Sequence, residues 1–445
     1  MANIVVIGAG LAGMPAVYEL RHALPSRHSV TLICDQPKFT FIPGLIQVAL
    51  GLKPLDQLQE DLAPLAQRQK LNWVGEKVIS LDPIHRQITV ASRQIVPYDY
   101  LVIATGASLA FDLVPGLGPE RGFTHSVCKP NHAVEACQAW SEFLAHPGPL
   151  VIGAAPGAGC FGPAYEFALL ADHELRRHGI RDQVPMTLIT PEPYVGHLGV
   201  SGLSHSQSLT TSLLEHHNIA IVDNAAITSV APHQIILADG RTYAFSYAMI
   251  LPAFRGAAFL RTVPGLTNEQ GFIPVLPSQR HPRFPEIYAA GVVTHVEQPE
   301  KNLVPIGIPK TGQMAESMAI AAAHNICVDL GVLRDCLKVP TLDALCFAEF
   351  GPTGIAYIAA PVLPDPKTGK RNRSYALQGA WVVWVKAMFE KYFMAKIRWG
   401  IGMPWYEKLG LWIFFGLRLQ RDLTEAEQVL SPSSPYQASE VSSKT

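Results

Sequence analysis

The chain has 445 residues, more than one compact core usually holds, so two or three domains are expected. Apolar residues make up 48% of it and charged residues 16%, the latter well below the usual level of about a quarter. Such a chain buries much of itself or keeps apolar surface for a membrane or a partner. A net charge of −1 gives no overall basic field for nucleic acid and no acidic field for cations, which makes nucleic-acid binding a poor expectation.

The first residues, MANIVVIGAGLAG, run straight into a folded motif without a basic region ahead of an apolar one, so no secretory signal is expected. No run of about 18 uninterrupted apolar residues occurs, which argues against a spanning helix. The seven cysteines are widely scattered and odd in number, unlike a secreted disulfide framework, and some of the thiols are candidates for chemistry.

Ile4–Ile7 is a β-branched run leading into Gly8-Ala9-Gly10-Leu11-Ala12-Gly13, followed by a helical stretch with Met14, Val17 and Leu20 on one side. This strand, turn and helix form a dinucleotide fingerprint. Gly8 permits the tight turn, Gly10 lets backbone approach a pyrophosphate, and Gly13 lets the helix pack close with its N-terminus aimed at phosphate. A second strand, Ser29–Cys34, ends at Asp35, where an acid should hold a ribose hydroxyl. A buried-type strand from Tyr98 closes on Ala104-Thr105-Gly106, and Ile287–Val292 is another closing on Gly291.

Over roughly residues 1–330 these features resemble the FAD-dependent pyridine-nucleotide–disulfide reductase superfamily. The resemblance implies FAD as cofactor and an α/β fold with two Rossmann-like dinucleotide-binding domains. It also implies that Gly291, Lys310, Thr311 and Gly312 line the flavin, with Ala104, Thr105, Gly106, Pro43 and Val78 among the cofactor-binding positions.

The second fingerprint, Gly153-Ala154-Ala155-Pro156-Gly157-Ala158, is degenerate. Ala155 stands where the second glycine should be, and its methyl obstructs the approach a pyrophosphate requires. Ala158 occupies the third position, which some working sites accept. The next strand, Met186–Ile189, ends at Thr190 rather than at an acid. The second fold is expected to persist with its nicotinamide site lost.

Cys160 follows between two glycines, and Pro163 with the apolar run after it predicts a helix starting near Phe161. A thiol at a helix start is expected to have a lowered pKa. The segment Cys160-Phe161-Gly162-Pro163-Ala164-Tyr165-Glu166 closely resembles sulfide:quinone oxidoreductases. So do Leu345-Cys346-Phe347-Ala348-Glu349-Phe350-Gly351 and Val127-Cys128-Lys129-Pro130-Asn131-His132-Ala133, and the likeness extends over nearly the whole chain. The loop Phe41-Ile42-Pro43-Gly44-Leu45 keeps that family's proline but differs after it.

This second resemblance implies that Cys160 and Cys346 lie beside the flavin, bridged directly or through sulfur, with Cys128 on the sulfide-facing side. A covalent link from FAD to a cysteine occurs in some relatives and stays open. Sulfide would attack the bridge, and its two electrons would pass to FAD and then to quinone. His132, His197 and Glu166 are the candidates for moving protons. Cys34, Cys137, Cys327 and Cys336 match no such motif and read as structural. Disulfide reductases of the ordinary kind carry a close cysteine pair; here the two thiols are 186 residues apart and only the fold can bring them together. No metal site is expected.

Five of the seven tryptophans follow residue 380. At about 100° per residue Trp381, Trp384, Val385, Met388, Tyr392, Ala395 and Trp399 fall on one stripe of a helix spanning 381–399, with Lys386, Glu390, Lys391 and Arg398 mostly off it. A second apolar run, Leu409–Leu419, is broken by Gly410 and Gly416. Residues 381–421 carry seven Lys or Arg and two Glu. An apolar face with tryptophans and basic flanks suits a helix lying in a bilayer interface, although core packing or an oligomer contact fits the pattern about as well. The resemblance favours a peripheral, monotopic protein that takes membrane quinone between Phe389 and Tyr406, with Lys386 near the quinone or flavin.

The expected organisation is a first flavin-domain segment over 1–110, a second Rossmann-like domain over 111–284, a returning flavin segment over 285–370, and an amphipathic membrane segment over 371–430. The polar tail from Ser431 is expected to be disordered. Three rival functions stay open: a type II NADH:quinone dehydrogenase, a sulfide dehydrogenase flavoprotein serving a cytochrome subunit, and a flavin redox sensor.

Overall fold

A computed structural model describes residues 1–298, 300–365 and 368–424; the polar tail from Ser431 lies outside them. The strands that position the site are, in chain order, β1 (Asn3–Ile7), β2 (Ser29–Ile33), β3 (Asn72–Val74) and β4 (Tyr100–Ile103). They are followed by β5 (Leu150–Ala154), β6 (Met186–Ile189), β7 (Ile219–Val222) and β8 (Tyr247–Leu251). Then come β9 (Ile287–Ala289), β10 (Ala344–Phe350), β11 (Thr353–Ala360) and β12 (Arg373–Gly379). The principal helices are α1 (Gly13–Ala23), α2 (Pro130–Ala145), α3 (Gly162–Arg177), α4 (Gly312–Asp329), α5 (Trp381–Trp399) and α6 (Trp405–Gly410).

The first sheet is parallel, in the order β9-β4-β1-β2-β3. Its central strand places Ile7 level with Ile33 on one side and Ile103 on the other. β1, β2 and β4 are almost wholly buried, so they read as continuous apolar runs, as parallel strands covered on both faces must. Although β9 comes after the whole second domain, it returns to pair with β4. The second sheet, β7-β6-β5-β8, is also parallel. Two Rossmann-like units are therefore present, as expected.

The third sheet is antiparallel, β10-β11-β12, with Cys346 opposite Tyr357. It joins residues on both sides of position 370, where the sequence suggested a boundary. It carries α3 against β10, and α5 packs on β10 and β11. One contiguous core runs from α1 through α3 and α4 to Phe393 and Ile397 of α5, so the tail helix is an integral part of the body.

Helix α5 spans the predicted residues, but its buried face lies about a third of a turn from the tryptophan stripe. Val382, Phe393, Lys396 and Ile397 point inward, whereas Trp381, Trp384, Met388 and Trp399 are exposed. The second apolar run divides: α6 ends at Gly410, a wider turn covers Leu411–Phe415, and Gln420–Asp422 pairs antiparallel with Lys338–Pro340. Among the described residues no helix is long and apolar enough to cross a membrane.

Candidate active site

The first fingerprint is built as a phosphate cradle. Gly8 has φ +104°, and a Cβ there would stand 2.3 Å from the Ala104 carbonyl oxygen, so only glycine allows β1 and β4 to end this close together. A Cβ on Gly10, by contrast, would meet nothing within 4 Å: the space beside its backbone is open, as a bound pyrophosphate requires. α1 has no side-chain cap, so its leading N–H groups are left for an anion. Gly13 packs on the Gly8 carbonyl, and Gly291 and Gly312 pack on Ala12 and Leu11 of the turn.

Around this turn, Asp35 is exposed just past β2, and Gly106 faces open space. Thr311 caps α4 by accepting from the Met314 amide at 3.4 Å. Burial lowers the Lys310 pKa to about 8. Among the described residues Lys310 has no ion-pair partner, only the Phe272 ring at 5.1 Å. A desolvated cation with no counter-charge suits an electron-rich ring or phosphate. Val78 is buried in the cluster behind the first sheet, with Val5 and Ile7. Pro43 sits in a short turn whose neighbour Phe41 packs, rings tilted, against Phe389 and Phe393 of α5, at 6.4 and 5.8 Å. The open space at Gly10, the uncapped start of α1 and the desolvated Lys310 fit FAD; nothing observed at Val78 or Pro43 bears on it.

The second fingerprint does not open the same way. No helix follows β5 directly; the chain runs through Ala155–Phe161 before α3 begins at Gly162. Ala155 and Ala158 are buried. Thr190, at the position expected for a ribose-binding acid, donates to buried Glu192 at 2.7 Å. That carboxylate also accepts from the Tyr165 hydroxyl and the Leu198 amide, both at 2.6 Å. Glu192, missed from the sequence, is consumed internally, and burial raises its pKa to about 7.

The chain between β5 and α3 carries Cys160 instead. Helix α3 begins two residues later than that cysteine, and a Cβ built on Gly162 would lie 2.6 Å from Cys346 Sγ. Cys160 and Cys346 share a small cavity of ≈ 30 Å³ with Phe161, Leu198, Thr311 and Tyr357. That is room for about one or two water-sized molecules. Cys128 is close enough that its charge raises the Cys160 pKa, and Cys160 in turn raises that of Cys346. The fold thus assembles all three cysteines singled out from the sequence, and all seven thiols are free.

Their acidity corrects the sequence expectation. Burial pushes the Cys160 thiol up to about 12 and Cys128 up to about 11, and it moves Cys346 the same way. A helix terminus is worth about 0.3–1 kcal/mol, and burial of a thiolate outweighs it.

Proton-handling groups lie beside the thiols. Lys386 of α5 reaches inward to pair with Glu166 of α3, and with Glu349 of β10 at 3.3 Å. Gln47 donates to Glu349 as well. Burial raises the Glu166 pKa to about 7 in spite of Lys386. Two carboxylates share one ammonium, so the cluster holds a proton near neutrality. Glu349 was missed; its signal was its place three residues after Cys346 in the matching motif.

His132 and His197 are buried, and neither ring has a hydrogen-bond partner among the described residues. Their nearest carboxylates are Glu120 at 3.6 Å and Glu300 at 3.9 Å, and burial lowers both pKa values. Both rings are therefore neutral near pH 7. His197 adjoins Leu198 of the cysteine cavity; His132 packs on Phe111 at 5.7 Å. Phe389 is half-buried against Phe41, whereas Tyr406 is exposed and packs on Trp405 at 6.0 Å. No ring contact joins the two.

Residues 2–319 match the pyridine nucleotide-disulphide oxidoreductase family. The sulfide-quinone reductase of Aquifex aeolicus (strain VF5) is 38% identical over 418 residues, covering 93% of this chain and 95% of that one. The chain belongs to the sulfide:quinone oxidoreductase family. This family is one of FAD-dependent flavoproteins. The solved structure of the Aquifex aeolicus sulfide:quinone oxidoreductase superposes with a TM-score of 0.90 at 37% identity, over 96% of this chain and 98% of that one. The mitochondrial sulfide:quinone oxidoreductase of Dictyostelium discoideum is 27% identical over 41% of each chain. An NADH-bound NDH2 from Plasmodium falciparum shares the fold, with a TM-score of 0.65 at 14% identity over 93% of this chain.

Proposed function

We propose that the chain oxidises sulfide to sulfane sulfur on the Cys160–Cys346 pair and passes the electrons through FAD to a membrane quinone. The observation that carries this reading is the meeting of Cys160 and Cys346 on one cavity the size of one sulfur species, with Cys128 near enough to Cys160 to act on its charge. FAD, held by Gly8, Gly10, Gly13, Asp35, Lys310 and the head of α4, would supply the two-electron acceptor that links the thiols to quinone.

The two thiols, free in this structure, would first be joined as a Cys160–Cys346 disulfide by two-electron oxidation through the flavin; hydrosulfide then enters past Cys128 and attacks one sulfur of that bridge. One S–S bond breaks, a persulfide forms on one cysteine, and the other leaves as thiolate. Sulfide is oxidised by two electrons in the overall cycle, and quinone takes them up with two protons. We assign Cys346 to the flavin side and Cys160 to carrying sulfur. The apolar walls exclude water, which keeps the persulfide from hydrolysis. Glu166, Glu349 and Lys386 hold the proton released from sulfide, in a cluster with one more carboxylate than it can neutralise.

The exposed aromatics of α5, α6 and the turn after them form the bilayer-facing surface: Trp384 is 74% exposed, Trp405 73% and Phe414 80%. A cluster in sequence of large exposed apolar side chains suits insertion into a lipid interface. Phe389, beside the Phe41 turn, and Tyr406 then form the two walls of a quinone slot.

Anaerobic addition of sulfide to the FAD-loaded protein tests the reading. Flavin absorbance should bleach and return on adding a soluble quinone. Bleaching by NADH, with no response to sulfide, would replace this reading with that of an NADH dehydrogenase.

A further inference from the structure

Away from the cysteines, a cavity of ≈ 450 Å³ lies where the tail returns to the body, lined by Lys338, Lys408, Trp412, Arg418, Gln420 and Arg421 among others. We infer that this cavity binds the phosphate of an anionic phospholipid headgroup; the inference rests on the bilayer docking proposed above and gives that docking a lipid preference.

Charge is the first reason. Among the described residues, four cations line the cavity against one carboxylate, Asp422. Lys338 is already paired, with Asp422 at 2.6 Å and Asp335 at 3.2 Å. Lys408 and Arg418 are exposed and have no ion-pair partner among the described residues. Two cations without an ion-pair partner among the described residues attract phosphate, and a guanidinium can grip two of its oxygens at once.

Position is the second reason. Trp412 on the cavity wall is 54% exposed and is followed by exposed Ile413 and Phe414. If this turn enters the acyl boundary, the cations on either side of it stand at headgroup level, where Lys and Arg stems snorkel. A third feature is a spare donor: the Gln420 side-chain nitrogen is buried and lacks a hydrogen-bond partner among the described residues. The short pairing of Gln420–Asp422 with Lys338–Pro340 fixes this wall to the body, so the cavity is formed before lipid arrives.

Sedimentation of the FAD-loaded full chain with phosphatidylcholine vesicles, with and without phosphatidylglycerol, is the test. Phosphatidylglycerol should tighten binding, and K408Q with R418Q should weaken that binding by about 25-fold, at roughly fivefold per cation. Lys391→Gln, an exposed cation on the same helix as the tryptophans, is the control for diffuse attraction. Equal losses from control and double variant, or no phosphatidylglycerol preference in the parent, would overturn the headgroup site. Saturable binding of inorganic phosphate that K408Q with R418Q abolishes, in a parent without any phosphatidylglycerol preference, would assign the cavity to free phosphate instead. Failure to bind either vesicle would overturn the docking reading itself. Unchanged melting of the exposed-site variants checks their fold, and Lys408→Glu provides a second variant.

Discussion

Lys386, on the helix that carries the tryptophans, pairs with Glu166, six residues after Cys160. One buried ammonium thus joins the cysteine site to the helix whose outer face carries the exposed tryptophans. Lys386→Met leaves Glu166 and Glu349 facing each other without a cation. Full turnover should fall by about 100-fold or more, in line with loss of a positioned proton-transfer group. Stopped-flow measurement of each half-reaction locates the loss; unchanged turnover in a folded variant would remove Lys386 from the mechanism.

The same cluster sets a pH dependence. Burial raises the Glu166 pKa to about 7, so its carboxylate form is lost as pH falls through that value. The rate of sulfide-driven flavin bleaching, expressed per hydrosulfide ion, should decline below about pH 7. Glu166→Gln should abolish that limb and leave a low, flat profile. A limb of the same shape in the variant would assign it to another group.

Cys346→Ala should eliminate bleaching by sulfide while the flavin spectrum persists. Cys128→Ala should slow bleaching without abolishing it, because Cys128 borders the pair without belonging to it. Cys327, buried in α4, provides the contrast: Cys327→Ala should leave bleaching intact. Full turnover in Cys346→Ala would exclude the proposed pair.

What could be read from the sequence was local. The first fingerprint is contiguous, and its geometry follows from three glycines and one strand. The span of α5 followed from periodicity, because an amphipathic helix repeats its apolar face every turn. The pairing of Glu166 with Lys386 was not legible: 220 residues separate them, and either could have been a solvated surface charge. Nor was Glu192 legible. Thr190 stands where an acid is sought, and the acid two residues on is turned inward by bonds that only the fold creates. Thiol acidity was misread because helix position is visible in sequence and depth of burial is not.

Lys396 is only 3% exposed and pairs with Glu316 at 2.5 Å and Glu407 at 2.6 Å, fastening α5 to α4 and α6. Lys396→Ala leaves two buried carboxylates uncompensated and should cost about 3–5 kcal/mol of stability. Urea unfolding followed by tryptophan fluorescence measures it; a loss under 1 kcal/mol, roughly the worth of a surface pair, would mean the site is hydrated.

Membrane attachment has to be tested by substitution, because removing residues 381–445 would also strip Val382, Phe393 and Ile397 from the core. Trp384→Ala with Phe414→Ala takes away exposed apolar surface and should weaken vesicle binding at least tenfold, with melting unchanged. Phe393→Ala, on the inward face of the same helix, should do the reverse: about 3–5 kcal/mol less stable, with vesicle binding retained where the protein stays folded. Equal vesicle binding by the outward double variant and the parent would move the membrane contact elsewhere on the molecule.

The second fingerprint yields the last prediction. Ala155 alone does not close the nicotinamide site, because α3 begins only at Gly162 and Glu192 is bound by Tyr165, Thr190 and Leu198. Ala155→Gly should therefore fail to confer NADH-driven bleaching at millimolar NADH. Freeing the acid as well, with Tyr165→Phe, removes one bond to Glu192 and leaves two, so the double variant should stay unresponsive. If Ala155→Gly alone accepted electrons from NADH, the methyl group would be the whole barrier, and the electron donor would be decided by one side chain rather than by the path of the chain between β5 and α3.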